Sequence, residues 1–106
     1  INMGYHVSHR YGAMNADPGI HTFPELLAEL QTRGQDEEHG QVSVTNDAEW
    51  CIAVNLSGTV IFENLQTGDP RHMRQVPGDK ILELWGLLAE GDVATIEQEP
   101  WVVGYG

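Results

Sequence analysis

The spacing of hydrophobic residues changes twice along this chain, and this change limits the fold more than any other feature. Phe23, Leu26, Leu27 and Leu30 recur at the spacing of a helix with one apolar face. In the middle of the chain, hydrophobic and polar residues alternate instead, as they do in strands that bury one face. A second stripe with helical spacing begins at Ile81. We therefore expect strands combined with two amphipathic helices.

Both helices are bounded by residues that favour helix termini. Thr22 followed by Glu25 fits a capping box, so the first helix is predicted over residues 23–33, and Gly34 is a suitable C-terminal stop. The second helix is predicted to begin at Pro77 and to end at Gly91. Its apolar stripe consists of Ile81, Leu84, Trp85 and Leu88.

The remaining hydrophobic segments have the pattern of strands joined by turns. Strands are predicted at residues 3–10, in three segments between residues 40 and 64, and at residues 93–96 and 101–105. Polar loops are predicted at residues 11–20 and 65–76, and Asp17-Pro18-Gly19 has the composition of a turn. The fold class predicted from this order is α+β, with a mainly antiparallel sheet of four to six strands and the two helices packed on one face.

The length of the chain allows one hydrophobic core. Residues 1–106 are predicted to form a single domain. No apolar run approaches the ~18 residues that a membrane span needs, and no secretory signal pattern is visible at the start of the sequence. Cys51 is the only cysteine, which excludes an intramolecular disulfide and suits a reducing compartment. We expect a cytoplasmic protein.

The charge of the chain is strongly negative. Asp and Glu number 16 against 5 Lys and Arg, so the formal net charge is −11. Such a charge repels nucleic acid and anionic membranes, and it attracts a basic protein partner. The predicted partner-binding residues are therefore acids in polar segments, although any one of them could simply keep a loop in solution. These acids are Asp36, Glu37, Glu38, Glu49, Glu63 and Asp69. Asp47, close to Glu49, is a further candidate contact acid.

Two further residues complete the predicted partner-binding set. Arg71 belongs to the one basic cluster, Arg71-His72-Met73-Arg74, which could bind a phosphate or a carboxylate through a guanidinium group. The surplus of acids favours the other outcome, in which these arginines pair within the domain. Trp101 lies near the end of the chain and is a candidate aromatic anchor, although burial in the core is the more common outcome for a tryptophan.

Residues with catalytic or metal-binding chemistry do not form a recognisable motif. His6 and His9 would point to opposite faces of a strand, and the other histidines lie in separate loops. Cys51, between Trp50 and Ile52, has no neighbour that would activate a thiol and is predicted to act as a small hydrophobic residue. We therefore predict no catalytic residue, no metal and no cofactor.

Two alternatives to a protein-binding role remain open from the residues alone. The first is a small enzyme or ligand-binding domain that uses His6, His9, His72 or Arg71 in a cleft between sheet and helices. The second is a structural adaptor that forms a homodimer through an exposed sheet face. Convergence of those side chains on one pocket would favour the first, and concentration-dependent light scattering would identify the second.

Several segments of the chain resemble one family. These are residues 48–54 (AEWCIAV), residues 58–63 (GTVIFE), Val76-Pro77 at the start of the second helix, and Gly91-Asp92 followed by Glu99-Pro100-Trp101. Through these segments, the chain from residue 41 onwards resembles the small bacterial immunity proteins of polymorphic toxin systems.

This resemblance implies a cytoplasmic, non-enzymatic antidote that binds one cognate toxin domain and blocks its active site. Toxins of such systems are often nucleases or deaminases that act on nucleic acid, and their substrate-binding clefts are basic. An acidic inhibitor would complement such a cleft and exclude the substrate. The family provides no inhibitory residue that can be placed in this sequence, so the site residues named above rest on charge and exposure. The protein is expected to be a monomer or a weak homodimer.

Overall fold

A seven-stranded antiparallel sheet is the frame of the molecule. The computed structural model describes residues 4–10, 13–31 and 40–105. In chain order the strands are β1 (Tyr5–Ser8), β2 (Met14–Ala16), β3 (Gln41–Asn46), β4 (Trp50–Asn55), β5 (Val60–Asn64), β6 (Gly68–Met73) and β7 (Val102–Val103). Their order across the sheet is β2-β1-β3-β4-β5-β6-β7, and every neighbouring pair is antiparallel.

Helices cover one face of this sheet. α1 (Phe23–Ala28) follows a 3-10 turn at Ile20–Thr22 and leads into another at Glu29–Gln31. α2 (Gly78–Glu90) packs on β3, β4 and α1, and α3 (Val93–Ile96) comes directly after it. The predicted α+β class with an antiparallel sheet is confirmed, and the sheet has seven strands where four to six were expected. None of the described helices is long and apolar enough to cross a membrane.

The hydrophobic core lies between the helices and the sheet. Val7, Val44, Ile52 and Phe62 form a row across β1, β3, β4 and β5, and all four are buried. Trp85 of α2 is fully buried against this row, and its Nε1 donates a hydrogen bond of 3.0 Å to the carbonyl oxygen of Ile52. Burial of the ring therefore leaves no polar atom of the tryptophan unpaired.

Each turn of the central strands begins with an asparagine. Asn46, Asn55 and Asn64 are the last residues of β3, β4 and β5. The Oδ1 atom of each accepts a hydrogen bond from the backbone N–H two residues later, at 3.0, 3.0 and 2.9 Å. A side-chain oxygen in this position replaces a backbone carbonyl and closes the turn. The asparagines are nine residues apart, and the strands that they end have six, six and five residues.

Two segments that were predicted to be loops contain strands. Residues 11–20 were expected to be a loop, but Met14–Ala16 forms edge strand β2. Residues 65–76 were also expected to be a loop, because Gly68-Asp69-Pro70 has the composition of a turn. This segment instead starts β6, since the register between β5 and β6 shifts between Phe62 and Asn64. Such an irregularity tolerates a proline inside a strand.

The prediction of a strand at residues 93–96 is wrong, because this segment forms the short helix α3. The side chain of Asp92 caps the helix: its carboxylate oxygens accept the backbone N–H of Thr95 at 3.3 Å and the Thr95 hydroxyl at 2.8 Å. An aspartate that caps a first turn outweighs the strand preference of the β-branched residues that follow it.

The ends of the first helix also differ from the prediction. The Thr22 hydroxyl donates to the carbonyl oxygen of Gly19 at 2.7 Å and closes the preceding 3-10 turn, so the predicted capping box with Glu25 does not form. The α-helix ends at Ala28, and a 3-10 turn continues to Gln31. The predicted helix end at residue 33 and the stop at Gly34 lie outside the described residues. The carbonyl oxygen of Glu29 accepts a hydrogen bond of 3.1 Å from the Arg10 guanidinium, which supplies a partner to a carbonyl at the helix end.

Replacing Asn46 tests the role of the turn asparagines. Asn46 is 2% exposed, and besides Ala48 N–H it accepts the N–H of Trp50 and donates to the Leu88 carbonyl oxygen. We expect Asn46→Ala to lower the free energy of unfolding by about 2–3 kcal/mol, because buried backbone groups lose their partners. Urea unfolding would measure this change. The matched variant Asn55→Ala, in a more exposed turn, should cost less, and equal losses would contradict a special role for the buried turn.

Candidate functional site

Acidic residues from distant parts of the chain lie along one end of the sheet, from β2 to β6, over roughly 24 Å at the usual strand spacing. β2 ends there, as shown by the hydrogen bond from Asp17 N–H to the Tyr5 carbonyl oxygen. The β3–β4 turn is joined to the β5–β6 turn, where Leu65 N–H donates to the Glu49 carbonyl oxygen at 2.7 Å. The C-terminus of α2 reaches the same end, because Asn46 binds the Leu88 carbonyl oxygen. We call this surface the acidic end, and define it as Asp17, Asp47, Glu49, Asp69, Glu90 and Asp92.

The acidic end carries uncompensated charge. All six side chains are exposed, and none of them forms an ion pair with a Lys or Arg in residues 4–10, 13–31 or 40–105. The described basic residues lie elsewhere: Arg10 binds Glu29, and Arg71 pairs with Glu97. Lys80 pairs with Glu83 at 3.1 Å and Glu99 at 3.2 Å. The molecule is therefore negative at one end, while its described positive charges lie away from that end.

The acidic end also contains residues that are unfavourable for stability. Glu49 has a φ of 69°, a left-handed conformation that costs most residues other than glycine, asparagine and aspartate. Asp17 and Asp69 are also left-handed, at 47° and 59°. Glu90 and Asp92 flank the C-terminus of α2, whose last turn contains no basic residue. The carbonyl oxygens there carry partial negative charge, so the Glu90 carboxylate is repelled, whereas the Asp92 carboxylate is stabilised by the hydrogen bonds with which it caps α3.

The acids predicted from sequence fall in three places. Glu49 and Asp69 belong to the acidic end. Glu63 lies nearby in β5, opposite Cys51 in β4, and its carboxylate accepts a hydrogen bond of 2.8 Å from the Tyr105 hydroxyl. The proton of Tyr105 is held by this bond, which raises the pKa of the phenol. Asp36, Glu37 and Glu38 lie outside the described residues.

Arg71 and Trp101 take part in internal contacts. The Arg71 guanidinium lies 4.8 Å from the centre of the Phe62 ring and forms an ion pair with Glu97. The Trp101 ring packs on the same Phe62 ring with centres 5.1 Å apart, and its Nε1 donates to the Ile96 carbonyl oxygen at 2.8 Å. Trp101 is half-buried in this arrangement. Both side chains tie the segment around α3 to the sheet.

The histidines do not converge on one cleft. His9 follows β1, whereas His72 is in β6 with its Nδ1 bonded to the Gly104 carbonyl oxygen at 2.9 Å. β3, β4 and β5 lie between these strands, which separates them by roughly 19 Å at the usual strand spacing. Within the described ranges, no group of three or more His, Cys, Asp or Glu residues could hold a metal ion. A cleft that combines His9 with His72 or Arg71 therefore lacks its geometry.

Cys51 lies on the sheet face opposite the core. Burial raises the pKa of its thiol, and the negative charge of Glu63 acts in the same direction, while hydrogen bonds with Thr45 and Ser43 act against it. A thiol with a raised pKa is protonated near neutral pH and is a weak nucleophile. This environment agrees with the predicted role of Cys51 as a small buried residue.

Asp47, which follows Asn46 in a predicted turn, is a candidate contact acid from the sequence, whereas Asp17, Glu90 and Asp92 were not predicted. The other three lie far from Asp47 in sequence. They come to the same end of the sheet because β1 begins there and β2, β3 and helix α2 end there. No local sequence pattern indicates that approach.

Glu49 provides a test of the conformational cost at this site. We expect Glu49→Gly to raise the free energy of unfolding by about 1 kcal/mol, because glycine adopts a φ of 69° without the Cβ clash. Glu49→Gln is the matched control, since it removes the charge and keeps the Cβ atom. Urea unfolding of both variants separates the two effects. Equal stabilisation by glycine and glutamine would attribute the cost to charge repulsion instead.

His9 makes stability depend on pH. Its Nδ1 is 2.6 Å from a Glu29 carboxylate oxygen and its Nε2 is 2.5 Å from Asn15 Oδ1. The hydrogen bond to Glu29 raises the pKa of His9 above 6.5, partly opposed by desolvation, with smaller raising effects from Asn15 and the Glu29 charge. The stabilisation is complete below pH 6.5 and is lost as the pH rises through the folded-state pKa.

We therefore expect the urea midpoint to fall between pH 6 and pH 8.5 in the wild type and to fall less in His9→Gln. The exposed His21 allows a matched control, His21→Gln, which should keep the wild-type slope. Identical pH profiles for the wild type and His9→Gln would show that the His9 to Glu29 contact contributes nothing.

Comparison with known proteins identifies no relative of this chain. No protein-family model matches the sequence, and neither a curated protein nor a solved structure shows significant similarity to it.

Proposed function

We propose that this protein is a non-enzymatic immunity protein that neutralises a cognate bacterial toxin domain. Its acidic end docks on the basic substrate-binding surface of a toxin that acts on nucleic acid, and it excludes the substrate. The single observation that carries this proposal is the group of six exposed acids at one end of the sheet, without a basic partner in the described part of the chain.

The arrangement of charge favours binding over solubility as its purpose. Solubility requires only a net charge, which an even distribution supplies with less self-repulsion. Here six exposed acids lie along one end of the sheet, Glu90 among them stands at a helix C-terminus, and Glu49 occupies a left-handed turn position. Residues that lower stability at one surface are typical of sites kept for function.

The chemistry of a nucleic-acid-directed toxin complements this surface. A domain that binds phosphates presents Lys and Arg side chains, and carboxylates at matching positions form charge-assisted hydrogen bonds with them. Opposite potentials also accelerate encounter between the two proteins, with a rate that falls as salt screens the charges. The buried bonds of Asn46 and Asn64 hold the turns in place before the partner arrives.

The first experiment identifies the partner by gene context. A toxin-like C-terminal domain encoded by the neighbouring reading frame should arrest growth when expressed in a host cell, and co-expression of this protein should restore growth. Purified domain and protein should form a complex in gel filtration. Growth arrest that this protein does not relieve would overturn the proposal.

The second experiment tests the acidic end with charge-matched variants. We expect Glu49→Gln combined with Asp69→Asn to slow association with that toxin domain by about tenfold at low salt. The control combines Glu25→Gln with Asp79→Asn, two acids outside the acidic end that also lack an ion pair in the described segments. Both double variants change the net charge equally.

Stopped-flow measurement of the association rate at several salt concentrations compares the wild type with the two double variants. The acidic-end variant should show a shallower dependence on salt, and the control should follow the wild type. Equal slowing by the two variants would mean that total charge alone drives binding. A wild-type rate that is independent of salt would exclude a charged interface.

A further inference from the structure

A groove lies at the end of the sheet opposite the acidic end. It runs between the loop that joins β6 to α2 and the segment at residues 99–102, and its volume is about 400 Å³. Volumes of this size are typical of sites that hold a small ligand or a few side chains. Most of the lining is apolar, and it consists of Met73, Val76, Pro77, Pro100 and Val102.

The two basic residues at the rim of this groove differ in whether they have an acidic partner. The Lys80 ammonium is compensated by the carboxylates of Glu83 and Glu99. Arg74 is exposed and forms no ion pair with any described residue, although the chain has a net charge of −11. Arg71, three residues earlier, does pair with an acid of the domain. Arg74 is therefore a guanidinium group that is available to a carboxylate from outside.

A polar cleft adjoins Arg74 on its other side. Its volume is about 420 Å³, and it is lined by Asn55, Ser57, Thr59, Gln75 and Tyr105 in addition to Arg74. The Ser57 hydroxyl donates to Asn55 Oδ1 at 2.6 Å and lies 3.1 Å from the Thr59 hydroxyl. Gln75 lines both clefts and has a φ of 54°, a conformation that is unusual for glutamine. Arg74 thus lies between an apolar and a polar surface.

We propose that these two clefts together bind an extended peptide segment in which an aliphatic residue, an acidic residue and a polar residue follow one another. The aliphatic side chain fills the groove, and the carboxylate forms a bidentate pair with the Arg74 guanidinium. The polar residue lies over the hydroxyl groups of Ser57 and Thr59. One unpaired guanidinium matches one carboxylate, whereas a polyanion such as nucleic acid is repelled by the net charge.

This site is separate from the acidic end and does not depend on the toxin-binding function. β6 runs from the acidic end at Asp69 towards Arg74, so the two surfaces lie at opposite ends of the strand. The protein would then carry a negative surface for a basic domain and an amphipathic groove for an acidic peptide. Each can be removed by substitution without changing the other.

The test uses a fluorescein-labelled peptide with capped termini and a central Leu-Glu-Ser flanked by Gly and Ser residues. Fluorescence polarisation should give saturable binding to the wild-type protein. We expect Arg74→Gln to weaken binding by about tenfold, the usual consequence of losing a charged hydrogen-bond partner. A Leu-Gln-Ser peptide should bind the wild type about as weakly as the Leu-Glu-Ser peptide binds the Arg74→Gln variant. The Arg74→Gln variant should not distinguish the Glu peptide from the Gln peptide.

Additional variants test the apolar groove and the independence of the two surfaces. Val76→Asp should weaken binding by closing the apolar groove to an aliphatic side chain, with circular dichroism as the check that the variant folds. Arg74→Gln provides the second check, because Arg74 is exposed and its replacement leaves the core intact. Two variants should bind the peptide as the wild type does. One is the single variant Glu25→Gln, and the other is the double variant that combines Glu49→Gln with Asp69→Asn.

Several results would overturn the proposal. These are no binding at millimolar protein, equal affinity for Ser-Glu-Ser and Leu-Glu-Ser peptides, and equal affinity of the wild type and Arg74→Gln. Binding only to a peptide with a free C-terminal carboxylate would show a different recognition mode. Self-association in light scattering that Arg74→Gln abolishes would make a second copy of the chain the occupant.

Discussion

Asparagine side chains take the place of backbone carbonyls where β3, β4 and β5 end. The first and third of these residues, Asn46 and Asn64, are buried and also donate their Nδ2 hydrogens, to the carbonyl oxygens of Leu88 and Ala48. These bonds hold the β3–β4 turn to the C-terminus of α2 and to the β5–β6 turn. The rest of the structure depends on them, because they set where strands and helix end together and thereby which side chains become neighbours.

The same bonds explain how a repulsive group of acids remains in place. Like charges at the end of the sheet oppose folding, as does an acid beside the C-terminus of α2. The core of valine, isoleucine, phenylalanine and tryptophan between sheet and helices supplies the stabilisation that offsets this repulsion. Charge and core are thus separated in space, since the buried row of the sheet lies in its centre and the acids lie where the strands turn. Substitutions of the acids should therefore leave the core unchanged.

The spacing of hydrophobic residues along the sequence predicted those helices and strands whose position is determined by packing in the core. The stripe of Ile81, Leu84, Trp85 and Leu88 gave α2, and the alternation around Ile52 gave β4, since burial of one face imposes those spacings. Local hydrogen bonds decided the segments that were missed. Asp92 capped a helix where a strand was expected, and a register shift admitted Pro70 into β6. The candidate site was only partly predictable, because Glu49 and Asp69 are recognisable as turn acids, whereas Asp17 and Glu90 join them through the topology.

The acidic end has a consequence for how another molecule senses this protein. Its six exposed carboxylates have no Lys or Arg partner among the described residues. Salt screens the field of exposed charges beyond about one Debye length, roughly 8 Å at physiological ionic strength. A cationic body that comes within this distance of the acidic end is therefore attracted by the local carboxylates, and the charges on the far side of the molecule contribute little to that attraction.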